Sequence, residues 1–188
     1  MTTDSLEFEE WLEEDFEEEI SVSSINHALV QTHLIKALPD EQFTVATELS
    51  LDMSSSERQA ILKKYHVQAE RELKPEVCLY EADEIDYLDP DLEEDDVARM
   101  EKSPLLCIEI VSPSQTSAHI LRQFWVYFAM GVKSCWYVDP NLKLIKVYSS
   151  PKHSKSFEEG EVVDNVLGIR LPLNKIFFKK SLREVSSL

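Results

Sequence analysis

The stretch that most limits what this chain can become is LLCIEIV, residues 105–111. It is apolar on both faces, contains β-branched residues, and is ended by Ser112-Pro113. A strand of that kind has to be covered on both sides, so it belongs inside a sheet rather than on a wetted surface. One residue breaks the pattern. Glu109 shares a face with Leu105, Cys107 and Val111, while Leu106, Ile108 and Ile110 take the other. A buried carboxylate without a partner costs several kcal/mol, so Glu109 must be protonated, paired with a base, or bound to a cation.

The rest of the chain supplies structure around that strand. Residues 116–130 carry apolar positions at helical spacing and stop at Gly131, the residue type found just past helix ends. SCWYVDP and LIKVYSS read as two strands joined through Pro140-Asn141, a hairpin. Upstream, Ser24 opens a helix with Ile25, Leu29, Leu34 and Leu38 before Pro39 stops it. QFTVATELSLDM alternates as a strand through Phe43, Val45, Thr47, Leu49 and Leu51. Residues 54–74 are polar and helix-compatible, VCLY is a short strand, NVLGIRLPL a further one, and KIFFKKSLREVSSL a short basic terminus. Early helices and late strands with one embedded helix predict a single mixed α/β (α+β) domain over residues 1–188. Two acidic segments flank its elements: residues 1–20, with a short amphipathic helix expected over 5–19, and an aperiodic excursion over 81–103.

Composition narrows the function classes. The net charge is -17, but residues 1–132 hold 30 of the 36 acids and only 9 of the 19 bases. Residues 133–188 hold 6 acids and 10 bases, so a phosphate backbone is repelled by the first region and tolerated by the second. The acidic surface suits a protein partner better than it suits nucleic acid. No apolar run approaches the roughly 20 residues of a membrane span, and the acidic N-terminal run is unlike a signal peptide. The expected location is the cytoplasm. Cys78, Cys107 and Cys135, far apart and each among β-type residues, read as core thiols in a reducing compartment. The run DPDLEEDD lacks the glycine and spacing of a calcium loop and reads as solvated acid.

Two further groups accompany Glu109. Glu76 follows Pro75 and leads into VCLY, and two carboxylates on neighbouring strands can converge on one divalent cation. His119 and Gln123, four apart, share a face of the helix after Ser-Pro, beside the apolar stripe Ile120, Phe124, Tyr127 and Phe128. Each also has a plain structural reading: an exposed strand start for Glu76, a packed and hydrogen-bonded ring for His119.

The succession of motifs resembles a known family. A Pro-acid step opens a strand, and an apolar strand with Glu leads into Val-Ser-Pro-Ser. A helix follows with Tyr before Ala-Met-Gly-Val, then Cys-Trp-Tyr-Val-Asp-Pro and a Lys-Val-Tyr strand. This is similar to the Uma-type putative restriction endonuclease family, abundant in cyanobacteria, within the PD-(D/E)XK nuclease superfamily. The likeness is strongest over residues 105–148 and looser at Asn26-His27 and Leu167-Gly168. It implies a restriction-endonuclease-like core, a central mixed sheet flanked by helices. It also implies Mg²⁺ or Mn²⁺ held by Glu76 and Glu109 for cleavage of DNA phosphodiesters; a homodimer would suit a cutter of both strands.

Against the family pattern the chain departs at three positions. Glu76 stands where aspartate is expected, and His119 and Gln123 stand where the helix would carry aspartate and lysine; Val111 occupies the superfamily's alternative lysine position. Glutamate for aspartate moves the carboxylate out by a methylene, and such sites tolerate displacements of only about 0.5 Å. Glutamine for lysine removes the positive charge that would stabilise charge developing on phosphate. The sequence therefore implies a nuclease with a degenerate site, or a nuclease-fold domain that has become a protein-binding module.

Overall fold

A computed structural model describes residues 24–82, 85, 98–112 and 116–177. The acidic helix expected over 5–19, most of the excursion over 81–103 and residues 178–188 lie outside the described residues. The first helix, α1 (Ile25–Ala37), starts where Ser24 accepts the His27 N–H at 3.2 Å and so satisfies one orphan donor of the first turn. Its buried residues His27, Val30 and Leu34 recur three and four apart. A second helix, α2 (Ser56–Lys64), is capped in the same way by Ser55, and a third, α3 (Ser117–Ala129), by Thr116. Past α3, Gly131 has φ 97°, a conformation strained for any residue with a Cβ.

The strands are β1 (Phe43–Thr47), β2 (Leu51–Asp52), β3 (Glu72–Leu73), β4 (Val77–Glu81), β5 (Leu106–Ile110), β6 (Ser134–Asp139), β7 (Leu144–Ser150), β8 (His153–Phe157), β9 (Glu161–Asp164) and β10 (Ile169–Pro172), followed by the short helix α4 (Leu173–Ile176). Six of them form one sheet in the order β1-β4-β5-β6-β7-β8. Only β5 and β6 run parallel, joined by α3 as a crossover; the other pairs are antiparallel. LLCIEIV is therefore an inner strand of a mixed sheet. All five residues of β5 are buried.

Each face of the sheet has its own core. Val30 and Leu34 of α1 and Leu38 just past its end pack with Val77, Leu79, Ile108, Ile110 and Trp136, and with Leu171 and Ile176 from the β9–β10–α4 unit. On the other side Cys107 and Cys135 pack with Ile120, Phe124 and Tyr127 of α3 and with Leu62 and Leu73. The three cysteines are buried free thiols, as read from sequence, and the β4–β5–β6 register sets them side by side.

Several elements differ from the sequence reading. The expected strand through Leu51 breaks after Thr47, because Glu48 takes φ 49° and turns the chain. Helix-compatible residues 54–74 form a helix only over 56–64; His66 at φ 54° ends the path, and Glu72–Leu73 pairs back onto Leu51–Asp52. NVLGIRLPL is a turn followed by a strand, not one strand: residues 165–168 reverse the chain between β9 and β10.

Candidate active site

Glu109 lies near the end of β5 on the face that carries Cys107. The β4–β5 register pairs Val77 with Ile108 and Cys78 with Cys107. One further step along the same register sets Glu76 opposite Glu109, and the corresponding β1–β4 step brings Glu48, whose N–H donates to the Glu76 carbonyl at 3.2 Å. Glu76 is the residue before β4, and its charge is felt at Glu109, so the two acids singled out in the sequence lie near each other at this end of the sheet.

Their environments differ. Glu109 is buried, with 5% of its surface exposed, and accepts a hydrogen bond from the Tyr127 hydroxyl at 2.7 Å. Loss of water pushes its carboxyl pKa up to about 8; the Tyr127 bond pulls it down and the charge of Glu76 pushes it up again. Without a cation, Glu109 therefore carries a proton at neutral pH. Its charged form in turn raises the Cys78 thiol, already shifted by burial, to about 12.

Glu76 has a polar shell of its own. His27 Nε2 meets Oε1 at 3.1 Å, and the Gln31 side-chain amide donates to Oε2 at 3.0 Å and to the Glu76 carbonyl at 3.2 Å. The side chain of Glu76 is 21% exposed and that of His27 only 5%. The bond to Glu76 raises the His27 pKa above its ordinary value, while burial opposes the shift and the Ile110 backbone and Glu48 add to it. His27 thus joins α1 to the residue that leads into β4 and to the end of β5.

His119 and Gln123 stand half-buried on α3. The His119 N–H closes the helix cap on Thr116 Oγ1 at 3.4 Å, and Gln123 lies one turn before Tyr127. The groups acting on Glu109 are Tyr127 and Glu76, and those bonding the Glu76 carboxylate are His27 and Gln31. Sequence reasoning did not assign the last two or Tyr127 to the site. The signal was present for His27, a histidine at the apolar spacing of Val30 and Leu34; Tyr127 was read as stripe alone. A separate open groove of about 490 Å³, lined by Asp52, Ser54, Gln59, Glu70, Arg71 and Arg99, contains none of these residues.

Residues 5–174 match the Uma2 family, described as "Putative restriction endonuclease". The chain belongs to this family. No curated protein matches. Among solved structures, the Uma2 chain is similar to one described as a putative nuclease belonging to DUF820 from Anabaena variabilis ATCC 29413. The two share 15% identity with a TM-score of 0.59, over 82% of this chain and 81% of the other, a likeness of fold.

Restriction-endonuclease-like families typically use divalent metals, and the donors in this Uma2 chain can be tested for that fit. Among the described residues no group of three or more His, Cys, Asp or Glu is placed to hold a metal ion. Glu76 and Glu109 offer two hard oxygen donors, and Mg²⁺ commonly takes one or two carboxylates and keeps water or phosphate on its remaining positions. The two side chains are of the donor type such an ion takes, and both carboxylate oxygens of Glu76 also accept hydrogen bonds from α1. Among the described residues no helix is long and apolar enough to cross a membrane.

Proposed function

We propose that this Uma2 domain is a metal-dependent DNA endonuclease by lineage, with a degenerate active site in which Glu76 and Glu109 are the metal-binding pair. The observation that carries this reading is the register that brings Glu76, just before β4, alongside Glu109 of β5, a buried carboxyl at an inner strand of the sheet. Held by Glu76 and Glu109, Mg²⁺ or Mn²⁺ would polarise a phosphate oxygen and lower the pKa of an attacking water. The chain's own residues do the rest. Burial under α3 keeps bulk water from Glu109, and the Tyr127 hydroxyl orients its carboxylate. To hold such an ion, Glu109 would give up its proton. Gln123 can donate a hydrogen bond at the position of the family lysine but brings no charge, so cleavage is slow. DNA would meet lysines at the β7–β8 edge of the sheet, where Lys146 and Lys155 project from opposite faces.

One observation favours a second reading. Both carboxylate oxygens of Glu76 already accept protein hydrogen bonds, as they would in a nuclease fold retained only as a protein-binding module. A cleavage assay separates the two. With supercoiled plasmid and millimolar Mn²⁺, the wild type is expected to nick slowly, Glu109→Gln not at all, and Gln123→Lys roughly 10–100-fold faster than wild type. No cleavage by either wild type or Gln123→Lys would reject the endonuclease and leave the binding module.

A further inference from the structure

We propose that His27 and Gln31 are positioning residues of this site, a clamp on one face of α1 that fixes the carboxylate of Glu76 opposite Glu109. The two residues are four apart and therefore one above the other on the helix. Each takes one oxygen of the same carboxylate, at 3.1 and 3.0 Å. Gln31 also holds the Glu76 carbonyl, so backbone and side chain of Glu76 are tied to one helical turn. His27 is itself immobilised, 4% exposed in the α1 stripe and bonded to the backbone of Ile110 one residue past Glu109.

The clamp answers a specific problem. Glutamate at position 76 has one more rotatable bond than the aspartate of the family pattern, and a partly exposed strand-start glutamate would ordinarily sample several rotamers. Two donors from a rigid helix remove that freedom and select one carboxylate placement. Each oxygen keeps further lone-pair capacity, since an ionised carboxylate offers about four acceptor sites. A cation can therefore share the carboxylate with the clamp, as outer-sphere donors do around metal ligands.

The functional side of this inference rests on the metal-binding reading, so its test has one readout with metal and one without. In the full chain, Mn²⁺ titrations should show binding weakened roughly 10-fold or more in His27→Leu and in Gln31→Leu. His27→Gln, which returns an amide donor toward Glu76, should recover affinity to within about 3-fold of wild type. Thermal unfolding of each variant identifies any that fails to fold; Gln31 is only half-buried, so Gln31→Leu serves if His27→Leu does not fold. In the metal-free protein, NMR relaxation of the Glu76 side-chain methylenes should report a rigid group in wild type and a mobile one in Gln31→Leu. Wild-type affinity in the folded leucine variants overturns the clamp. So does a Glu76 side chain that is already mobile in wild type, or one equally rigid in Gln31→Leu. Absence of Mn²⁺ binding in wild type would count against the proposed function, and the relaxation result would then decide the clamp alone.

Discussion

Glu109→Gln is expected to make the metal-free protein more stable at pH 8–9 and to leave it nearly unchanged at pH 4.5. Glu109 has a folded pKa of about 8, raised from 4.5 chiefly by burial. A carboxyl whose pKa is raised on folding stabilises the native state fully below the unfolded value. That contribution is lost as pH climbs from about 4.5 through 8, because the native state must then either keep a proton the unfolded chain has released or bury a charge. Glutamine mimics the protonated form in shape and can still accept the Tyr127 hydrogen bond, without the ionisation. The difference between the two proteins should grow across that window to roughly 3–5 kcal/mol and then level off. In a chain of this size that is on the order of 10 °C in Tm. Thermal unfolding in chelator at pH 4.5, 7 and 9 reads it directly. A gap that does not widen with pH would mean that Glu109 is not held neutral by its surroundings.

The second large effect concerns Asp164, far from the acids in sequence and fully buried. One carboxylate oxygen accepts the N–H groups of Val166 and Leu167 at 2.9 and 3.2 Å, which forms the turn between β9 and β10. The other accepts Trp136 Nε1–H at 2.8 Å, which ties that turn to the central strand β6. Asp164→Ala leaves three donors without acceptors, one of them the indole N–H of a residue with no exposed surface. At roughly 1–3 kcal/mol for a buried unsatisfied group, and allowing for water reaching the turn amides, the expected loss is about 3–5 kcal/mol. Asp164→Asn keeps an oxygen for the turn but turns an amide donor toward the indole N–H, and should lose about half as much. Urea unfolding of the three proteins gives the ranking. Equal stability of Asp164→Ala and wild type would refute the role of this carboxylate as the latch between the β9–β10 hairpin and the sheet.

How much of this was legible without coordinates depended on how strongly each segment repeats. LLCIEIV, the helix after Thr116 and the SCWYVDP–LIKVYSS hairpin were legible because burial on both faces, a 3.6-residue stripe and a Pro-Asn turn leave marks in the residues themselves. The strand β8, HSKSF, left none. Four of its five residues are exposed, and its conformation comes from pairing with β7. The break at Glu48 was equally silent, since nothing in ATELS marks a left-handed residue. The β9–β10 turn was misread as strand because its stabilising acceptor, Asp164, lies before the segment and acts through backbone N–H groups.

The site follows the same logic. Glu109 stood out because a carboxylate in an apolar strand is costly, and Glu76 because it opens the adjacent strand. Their antiparallel opposition needed the register, which residue patterns do not state. His27 and Gln31 needed the packing of α1 against β4, a contact between segments 45–49 residues apart in sequence. Among the described residues, Glu48 follows β1, Glu76 precedes β4 and Glu109 lies on β5, while Lys146 and Lys155 lie on β7 and β8.

The central claim is that Glu76 and Glu109 still form a cation site, and calorimetric titration of Mn²⁺ into wild type and Glu109→Gln at pH 7 tests it most directly. The account predicts millimolar or tighter binding to wild type, with a proton released to buffer as Glu109 ionises, and neither signal in the variant. Identical titrations of the two proteins would contradict it.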